Sequence, residues 1–307
     1  METARLKAFL FAVETGSLSQ AARQLNYTPS AVSQLVSALE EEMGFPLLYR
    51  TNKGVSATRD GEELLGAIRS LLQQEERILQ IRAEVKGLSV GNITIATYSS
   101  MATCWLPRIV GAFQEDFPKI NIRLVESQRQ KVLQLLKESK ADIGFLSLTD
   151  DMPCDTIPLA DVSLIALLPV SHPLASSKAF PLQRCTQEQF VVSALGQDDD
   201  IESFFTEQGI HPSIRFSTLE NAASLAMIEH GLCIRITNQL VYESLPSFHL
   251  IALPLDPPQK LTMGIAVPSL KNSSPAVQKF IQYAVRILRN STHSTDNSTS
   301  PPPTSLT

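Results

Sequence analysis

Apolar residues at the start of the chain recur with a helical period. Leu6, Phe9, Leu10 and Val13 stand at i, i+3, i+4 and i+7, which places them on one face of an α-helix that Gly16 ends. Ser17 with Gln20 three residues on is a capping-box signature, and Leu18, Ala21, Ala22 and Leu25 predict a second, short helix beginning at Leu18. Asn26 and Tyr27 make the turn that follows. Thr28 is the expected N-cap of a third helix and Pro29 takes its first position, where a missing N–H costs nothing. This helix is predicted to run to about Met43, burying Val32, Leu35, Val36, Leu39 and Met43. Two short extended runs, residues 47–50 and 55–58, bracket the turn-forming Thr51-Asn52-Lys53-Gly54 and predict a hairpin. From Thr58 a single long helix is predicted to about Lys86. Its apolar residues Leu65, Ile68, Leu72 and Leu79, interrupted by Glu75, suit a seam between two subunits, because so long a helix must bury its stripe against something. Packing on its own domain is the competing expectation.

Beyond Gly87 the pattern changes to strands over 92–98, 120–126 and 143–147 alternating with helices over 101–116 and 129–139, which predicts an open α/β architecture with parallel strands. Ligands of such sheets bind past the carboxyl ends of the strands, where helix N-termini offer free amides. Ser99 and Ser100 follow the first strand, Ser127 and Gln128 the second, Ser147 the third, and Thr218 precedes a helix expected over 219–230. Hydroxyls and amides in these positions suit a carboxylate or other small anion, although each singly also serves as an ordinary N-cap. Asp198, Asp199 and Asp200 open another helix and are expected to be a solvated helix start; selection of a cationic effector is the opposing possibility. The last stretch, 291–307, is Ser, Thr, Asn and Pro with hardly a charge and is expected to be disordered.

At 307 residues the chain suits two or three domains, and with 43% hydrophobic and 19% charged residues it has the composition of a soluble globular protein. Its longest apolar stretches, such as 162–168, are too short to span a bilayer, so no membrane association is expected. Arg5, Lys7 and Glu14 interrupt the N-terminal apolar pattern, which does not read as a signal peptide, and a cytoplasmic location is expected. Cys104, Cys154, Cys185 and Cys233 are far apart with no C-x-x-C pair, and the five histidines show no ligand spacing, so free thiols, no metal site and no cofactor are expected. Gly87-Leu88-Ser89-Val90-Gly91 matches the nucleophile pattern of hydrolases, but a helix precedes it and a strand follows, the reverse of what that chemistry needs; it reads as a hinge. No base accompanies Ser89 or Cys233, and no catalytic residue is expected.

Charge changes the picture less than placement does. The net charge is -5, and in the first 60 residues six basic side chains face six acidic ones, so any affinity for DNA must come from geometry and from several copies acting together. On the third helix Ser30, Ser33, Gln34 and Ser37 form a face opposite the apolar stripe. Small hydroxyls serve either phosphates or base edges, and Gln pairs bidentately with adenine, so this face suits the major groove. Arg50 and Lys53, at the base and tip of the hairpin, are placed for phosphate or a minor groove. Glu40, Glu41 and Glu42 read as a solvated helix end tilted away from DNA.

The run LKAFLFAVETGSLSQAARQLNYTPSAVSQLVSALEEEMGFPLLYRTNKGVSATRDGEELL, residues 6–65, resembles the winged helix-turn-helix of the LysR-type transcriptional regulators almost without gaps. Gly16-Ser17, Ala21-Ala22, Leu25, Ser33, Leu39-Glu40, Gly44, Arg50, Thr58 and Gly61 carry the match. CWLPRIVGAFQEDFPKINIRLVES (104–127), ADIGFLSL and LLPVSHPL extend the resemblance more weakly to about residue 290. It implies a winged helix-turn-helix over 1–58 (helix-turn-helix 18–37), a linker and dimerisation helix over 59–88, and an effector domain over 89–290. That last domain is similar to periplasmic binding proteins, two α/β lobes joined by crossover strands near 162–170 and 261–268. Thr28, Pro29, Ser33 and Gln34 would then face the major groove, with Arg50 supporting the wing contact. The implied partners are double-stranded promoter DNA, a small-molecule effector between the lobes, RNA polymerase, and further copies of the chain as a homodimer or homotetramer. Ala57 stands where many members carry leucine and Ser37 where many carry arginine, which weakens the expected phosphate contacts. Cys233 and Arg235 in GLCIRI, 231–236, replace apolar residues usual there. Switching by cysteine oxidation, and a solute-binding role without DNA, are the alternatives.

Overall fold

The structure is a computed structural model that describes residues 2–87, 89–193 and 199–295. Asp198 and the part of the expected tail from residue 296 lie outside these. The chain divides into two compact units, the first formed mainly by residues 1–88 and the second mainly by 89–307.

In the first unit the caps fall where the side-chain chemistry placed them. Helix α1 (Thr3–Thr15) ends at Gly16 in a left-handed conformation. Helix α2 (Leu18–Leu25) starts with the Ser17 hydroxyl accepting from the Gln20 amide, and α3 (Pro29–Met43) with the Thr28 hydroxyl accepting from Ala31. The antiparallel hairpin of β1 (Leu48–Thr51) and β2 (Gly54–Ala57) pairs Arg50 with Val55, and its Val55 amide donates to the Gly16 carbonyl at 2.9 Å. Phe9, Val32, Val36, Leu39 and Leu47 are fully buried between the helices and the hairpin.

Helix α4 (Arg59–Val85) is continuous over 27 residues, capped by Thr58, but its apolar stripe divides differently from the expected seam. Ile68 is 6% exposed and belongs to the core of this unit, with Leu64, Leu65 and Leu72 packed against the same core. The competing expectation, packing on its own domain, therefore describes Leu65, Ile68 and Leu72. Only Leu79, 41% exposed, remains available from the expected set, and it stands beside Ile78, Ile81 and Val85 at 66%, 44% and 84%. Periodicity located an apolar face; what each turn of that face meets depends on where α1 and α3 end.

The second unit contains one curled mixed sheet and a small parallel pair. Strand β3 (Gly91–Thr97) leads into α5 (Ser99–Cys104) and α6 (Leu106–Asp116), two helices where one was expected. Pro107 in the first turn of α6 has no N–H and would clash with the preceding turn, so the helix breaks at Trp105. Then follow β4 (Ile120–Glu126), α7 (Arg129–Lys137), β5 (Ile143–Ser147) and the long β6 (Asp155–Pro169). Strands β7 (Phe180–Pro181) and β8 (Gln189–Val192), helix α8 (Asp199–Glu207), β9 (Ser213–Ser217), α9 (Asn221–Glu229), β10 (Arg235–Asn238) and α10 (Gln239–Glu243) build the second lobe. Strand β11 (Leu250–Asp256) completes it, after which β12 (Lys260–Val267) and α11 (Pro275–Thr295) return to the first. Helix α11 thus carries on into the first residues of the expected disordered stretch.

The order β4-β3-β5-β12-β6-β11-β7 explains the two lobes. Strands β3, β4 and β5 are parallel, as expected, whereas β12 runs antiparallel to both β5 and β6. Strand β6 pairs with β12 up to Ser163 and with β10 and β11 from Leu164 on. The chain therefore crosses between lobes within β6 and returns over residues 257–259, just before the second strand expected to cross. Phe113, Phe145 and Phe280 sit at the centre of the first lobe, and Phe180, Phe190 and Phe204 in the second.

Candidate functional site

Two sites emerge, one in each unit. On α3 the polar row Ser30, Gln34 and Ser37 is exposed and Ser33 half-buried, opposite the buried Val32, Val36 and Leu39. Thr28 and Pro29 open this helix at the surface. The Thr28 hydroxyl is committed to the cap and lies 3.0 Å from that of Ser30, so these two hydroxyls are ordered before any ligand arrives. Arg50 does not reach out along the hairpin. Its guanidinium folds onto α3, donating to Ser33 at 3.0 Å, Ser37 at 3.1 Å and the Glu40 carboxylate at 3.2 Å. Lys53 is exposed at the hairpin tip.

Glu40 is a correction to the reading of 40–42 as a solvated helix end. Its Oε1 accepts from the amides of Leu47 and Leu48 at 2.8 and 3.0 Å, tying the third helix to the first strand of the wing. A carboxylate accepting two backbone amides and a guanidinium fixes the wing's angle to the helix. Glu41 is exposed, and Glu42 pairs with Arg5 at 3.2 Å. Among the described residues, no ion pair involves Arg23 or Lys53, so within the helix-turn-helix and wing (residues 2–58) these two basic groups are available to phosphate. Sequence periodicity gave no signal for the wing clamp, because Glu40 and Arg50 belong to different elements.

In the second unit a cleft of about 180 Å³ lies between the lobes, lined among others by Ser99, Ser100, Ser127 and Gln128 from the first lobe and Asn221, Arg235 and Asn238 from the second. Four of the expected effector residues are thus together on one wall. Ser147 is not on that wall; it is buried, with its hydroxyl donating to Asp200 at 2.5 Å. Thr218 is outside the cleft as well: its hydroxyl accepts from the Glu220 amide in the turn before α9, which starts at Asn221 rather than 219.

Arg235, Asn221 and Asn238 were not expected at the cleft, whereas Asp200 was a candidate to border it and does line it. Arg235, 3% exposed, donates to Asn221 at 2.9 Å, Ser224 at 2.6 Å and Ser193 at 2.9 Å, and Asn221 in turn donates to Ser99 across the cleft at 3.2 Å. Asn238, 9% exposed, lines the cleft with its Oδ1 lacking a hydrogen-bond partner among the described residues. Asp200 is 7% exposed, which corrects the reading of the acidic cluster as solvated. The only signal for Arg235 was its departure from the apolar residues usual at that position.

Among the described residues, neither Ser89 nor Cys233 has a hydrogen bond to a histidine or a carboxylate. Ser89 accepts from Lys279 at 3.1 Å, and that amine also lies 5.1 Å from the centre of the Phe117 ring. Burial pushes the thiols of Cys185 and Cys233 up to about 11, and raises Cys104 and Cys154 also, so every cysteine is a poorer thiolate than the free amino acid. No disulfide joins them and, among the described residues, no cluster of metal-ligating side chains and no helix long and apolar enough to cross a membrane occurs.

Comparison with known proteins gives consistent matches over both units. Residues 3–62 match the model of the bacterial regulatory helix-turn-helix protein, lysR family, and residues 86–289 that of the LysR substrate binding domain. The uncharacterized HTH-type transcriptional regulator YvbU of Bacillus subtilis (strain 168) is 32% identical over 92% of this chain and 98% of its own. The probable regulator LrrA of Synechococcus elongatus is 29% identical over 92% and 95%. Among solved structures, full-length CbnR complexed with its target DNA aligns over 93% of this chain and 99% of that one with a TM-score of 0.65 at 20% identity. The effector binding domain of QuiR in complex with shikimate covers 66% of this chain and 99% of that one, with a TM-score of 0.59 and 24% identity.

Proposed function

The chain belongs to the LysR family of transcription regulators, and from that premise we propose that α3 reads the major groove of promoter DNA while the interlobe cleft senses a small carboxylate that also carries a hydrogen-bond donor. The family fixes the activity: a DNA-binding transcription regulator with an effector-binding domain. The residues are this chain's own. What carries the DNA reading is the exposed row Ser30, Gln34, Ser37 with the half-buried Ser33, on a helix whose other face is fully buried, joined at its base by Arg50. Short hydroxyl side chains let the helix backbone approach the bases closely; lysines or glutamates on this face would hold it off or repel phosphate.

For the effector, Arg235 and the Ser99-Ser100-Ser127-Gln128 wall favour a carboxylate, and the orphan Oδ1 of Asn238 favours a hydroxyl or amine donor on the same molecule. The protein performs no chemistry. Effector binding acts through the relative placement of DNA-reading heads in a homodimer or homotetramer, altering promoter bending and access for RNA polymerase in the cytoplasm.

DNase footprinting beside the protein's own gene tests the DNA reading. The wild type is expected to protect a near-palindromic stretch, and Ser33→Ala/Gln34→Ala to lose at least tenfold in affinity for it, from about 1–3 kcal/mol per lost base pairing. Unchanged protection by the double variant would move recognition off α3. Cysteine oxidation is the weaker reading. A variant with all four cysteines replaced by serine is expected to keep its effector response, and at pH 8 the wild-type thiols to react with a disulfide reagent more slowly than free cysteine; loss of the response would restore the thiol switch.

A further inference from the structure

The cleft between the lobes is lined by more acid than base. Among the described residues it has two guanidinium groups, Arg129 and Arg235, and three carboxylates, Glu126, Asp200 and Glu220. Arg129 and Asp200 pair with each other at 3.3 Å, with their side chains 14% and 6% exposed. The remaining lining charges are Arg235 and two carboxylates. Glu126 ends β4 in the first lobe and Glu220 precedes α9 in the second; both are exposed, and among the described residues neither side chain takes part in an ion pair or a hydrogen bond. A third acceptor is buried: Asn238 is 9% exposed, and its Oδ1 has no hydrogen-bond partner among the described residues. Donors are present too. Ser100, 2% exposed, lines the cleft with a hydroxyl that makes no hydrogen bond among the described residues, and the side chains of Ser127 and Gln128 are in the same state.

We propose that the cleft takes a zwitterion, a free α-amino acid, whose ammonium is held by the acceptors Glu126, Glu220 and Asn238 and whose carboxylate is held by the donors Ser100, Ser127 and Gln128. The proposal rests on the reading of the cleft as the effector site and specifies the hydrogen-bond donor of that reading as a cation. A neutral hydroxyl on the ligand would satisfy Asn238 but leave the excess of carboxylates uncompensated, and the charge of a plain anion would add to that excess. An ammonium brings three N–H donors and the missing positive charge together. The ligand carboxylate meets hydroxyl and amide donors that have no acceptor of their own to give up, and hydrogen bonds to an ionised acceptor are the stronger kind. A ligand with a carboxylate alone or an amine alone uses half of this lining and leaves the other half desolvated without a partner.

The test screens the full-length protein by thermal shift against the common L-amino acids and titrates the hits calorimetrically. Each amino acid is measured beside three analogues with the same side chain: the 2-hydroxy acid, the acid without the amine and the amine without the carboxylate. At least one amino acid is expected to bind about tenfold or more tighter than all three of its analogues, because each analogue lacks a charge-assisted contact. Glu126→Gln/Glu220→Gln keeps the size of two exposed side chains and so keeps the fold. It is expected to weaken the amino acid about tenfold and to bring its advantage over the 2-hydroxy acid to within about twofold. An advantage that the double variant leaves unmoved would overturn the proposal, as would an analogue that binds the wild type as tightly as the amino acid. Ser127→Trp, which fills the cleft, separates that failure from failure of the cleft reading. If such an analogue no longer binds this variant, the cleft is the effector site and only the zwitterion is wrong. If nothing in the panel binds the wild type, or binding survives Ser127→Trp, the reading of the cleft itself fails and the proposal with it.

Discussion

Replacing Ile68 by glutamate is expected to unfold the DNA-binding unit, whereas the same change at Ile81 is expected to leave it folded and lower the molecular mass measured by light scattering. The two isoleucines lie on one helix, but Ile68 is 6% exposed inside a core with Phe9, Val36 and Leu39, and Ile81 is 44% exposed. Burying a carboxylate at Ile68 forfeits about 2–3 kcal/mol of apolar burial and adds the cost of an unpaired charge, which takes most of a domain stability of roughly 5–15 kcal/mol. Ile81 is not part of that core. If the exposed run Ile78, Ile81, Val85 is where a second copy packs, glutamate there costs assembly and spares the melting temperature. A mass unchanged by Ile81→Glu would place the assembly contact elsewhere.

Gly61→Ala is expected to destabilise, against the usual sign for a helical glycine. Alanine is favoured over glycine in a helix by about 1 kcal/mol, so an exposed position would gain from the change. At Gly61 an added Cβ would stand 2.5 Å from the Leu47 carbonyl oxygen and 3.2 Å from the Thr58 hydroxyl. The carbonyl is backbone, pinned because the Thr58 amide donates to it at 2.9 Å, and it cannot turn aside as a side chain would. Overpacking costs typically 1–3 kcal/mol, which outweighs the propensity gain, and the strain falls at the joint between hairpin and α4. Thermal melting should show a lower midpoint for Gly61→Ala; a higher one would mean that the joint yields freely.

What the sequence made legible was local chemistry. Ser17, Thr28 and Thr58 cap helices, Gly16 ends one and the Thr51–Gly54 turn makes a hairpin, because each of these depends on residues within a few positions. The first wall of the cleft was legible for the same reason, since Ser99 and Ser127 follow parallel strands. The opposite wall was not. Arg235 and Asp200 matter through partners far away in sequence, Asn221 and Ser193 for one, Ser147 and Tyr98 for the other, and nothing in the run Asp198-Asp199-Asp200 distinguishes a buried carboxylate from a solvated one. Likewise the apolar stripe of α4 carries no mark of where its own domain ends and another partner must begin.

The way Arg50 is held bears on how binding responds to salt. A free arginine at a DNA-facing surface surrenders its own counterion layer when it meets phosphate, and the duplex releases a cation in exchange, which steepens the dependence of affinity on ionic strength. The Arg50 guanidinium instead already sits 3.2 Å from Glu40 and shares hydroxyls with Ser33 and Ser37. Approaching phosphate meets a dipole-like cluster rather than a bare cation, so this contact contributes less than a full charge to the slope of log affinity against log salt. If this face meets DNA as proposed, the electrolyte sensitivity of each reading head rests more on basic groups outside the clamp, such as Arg23 and Lys53, than on Arg50.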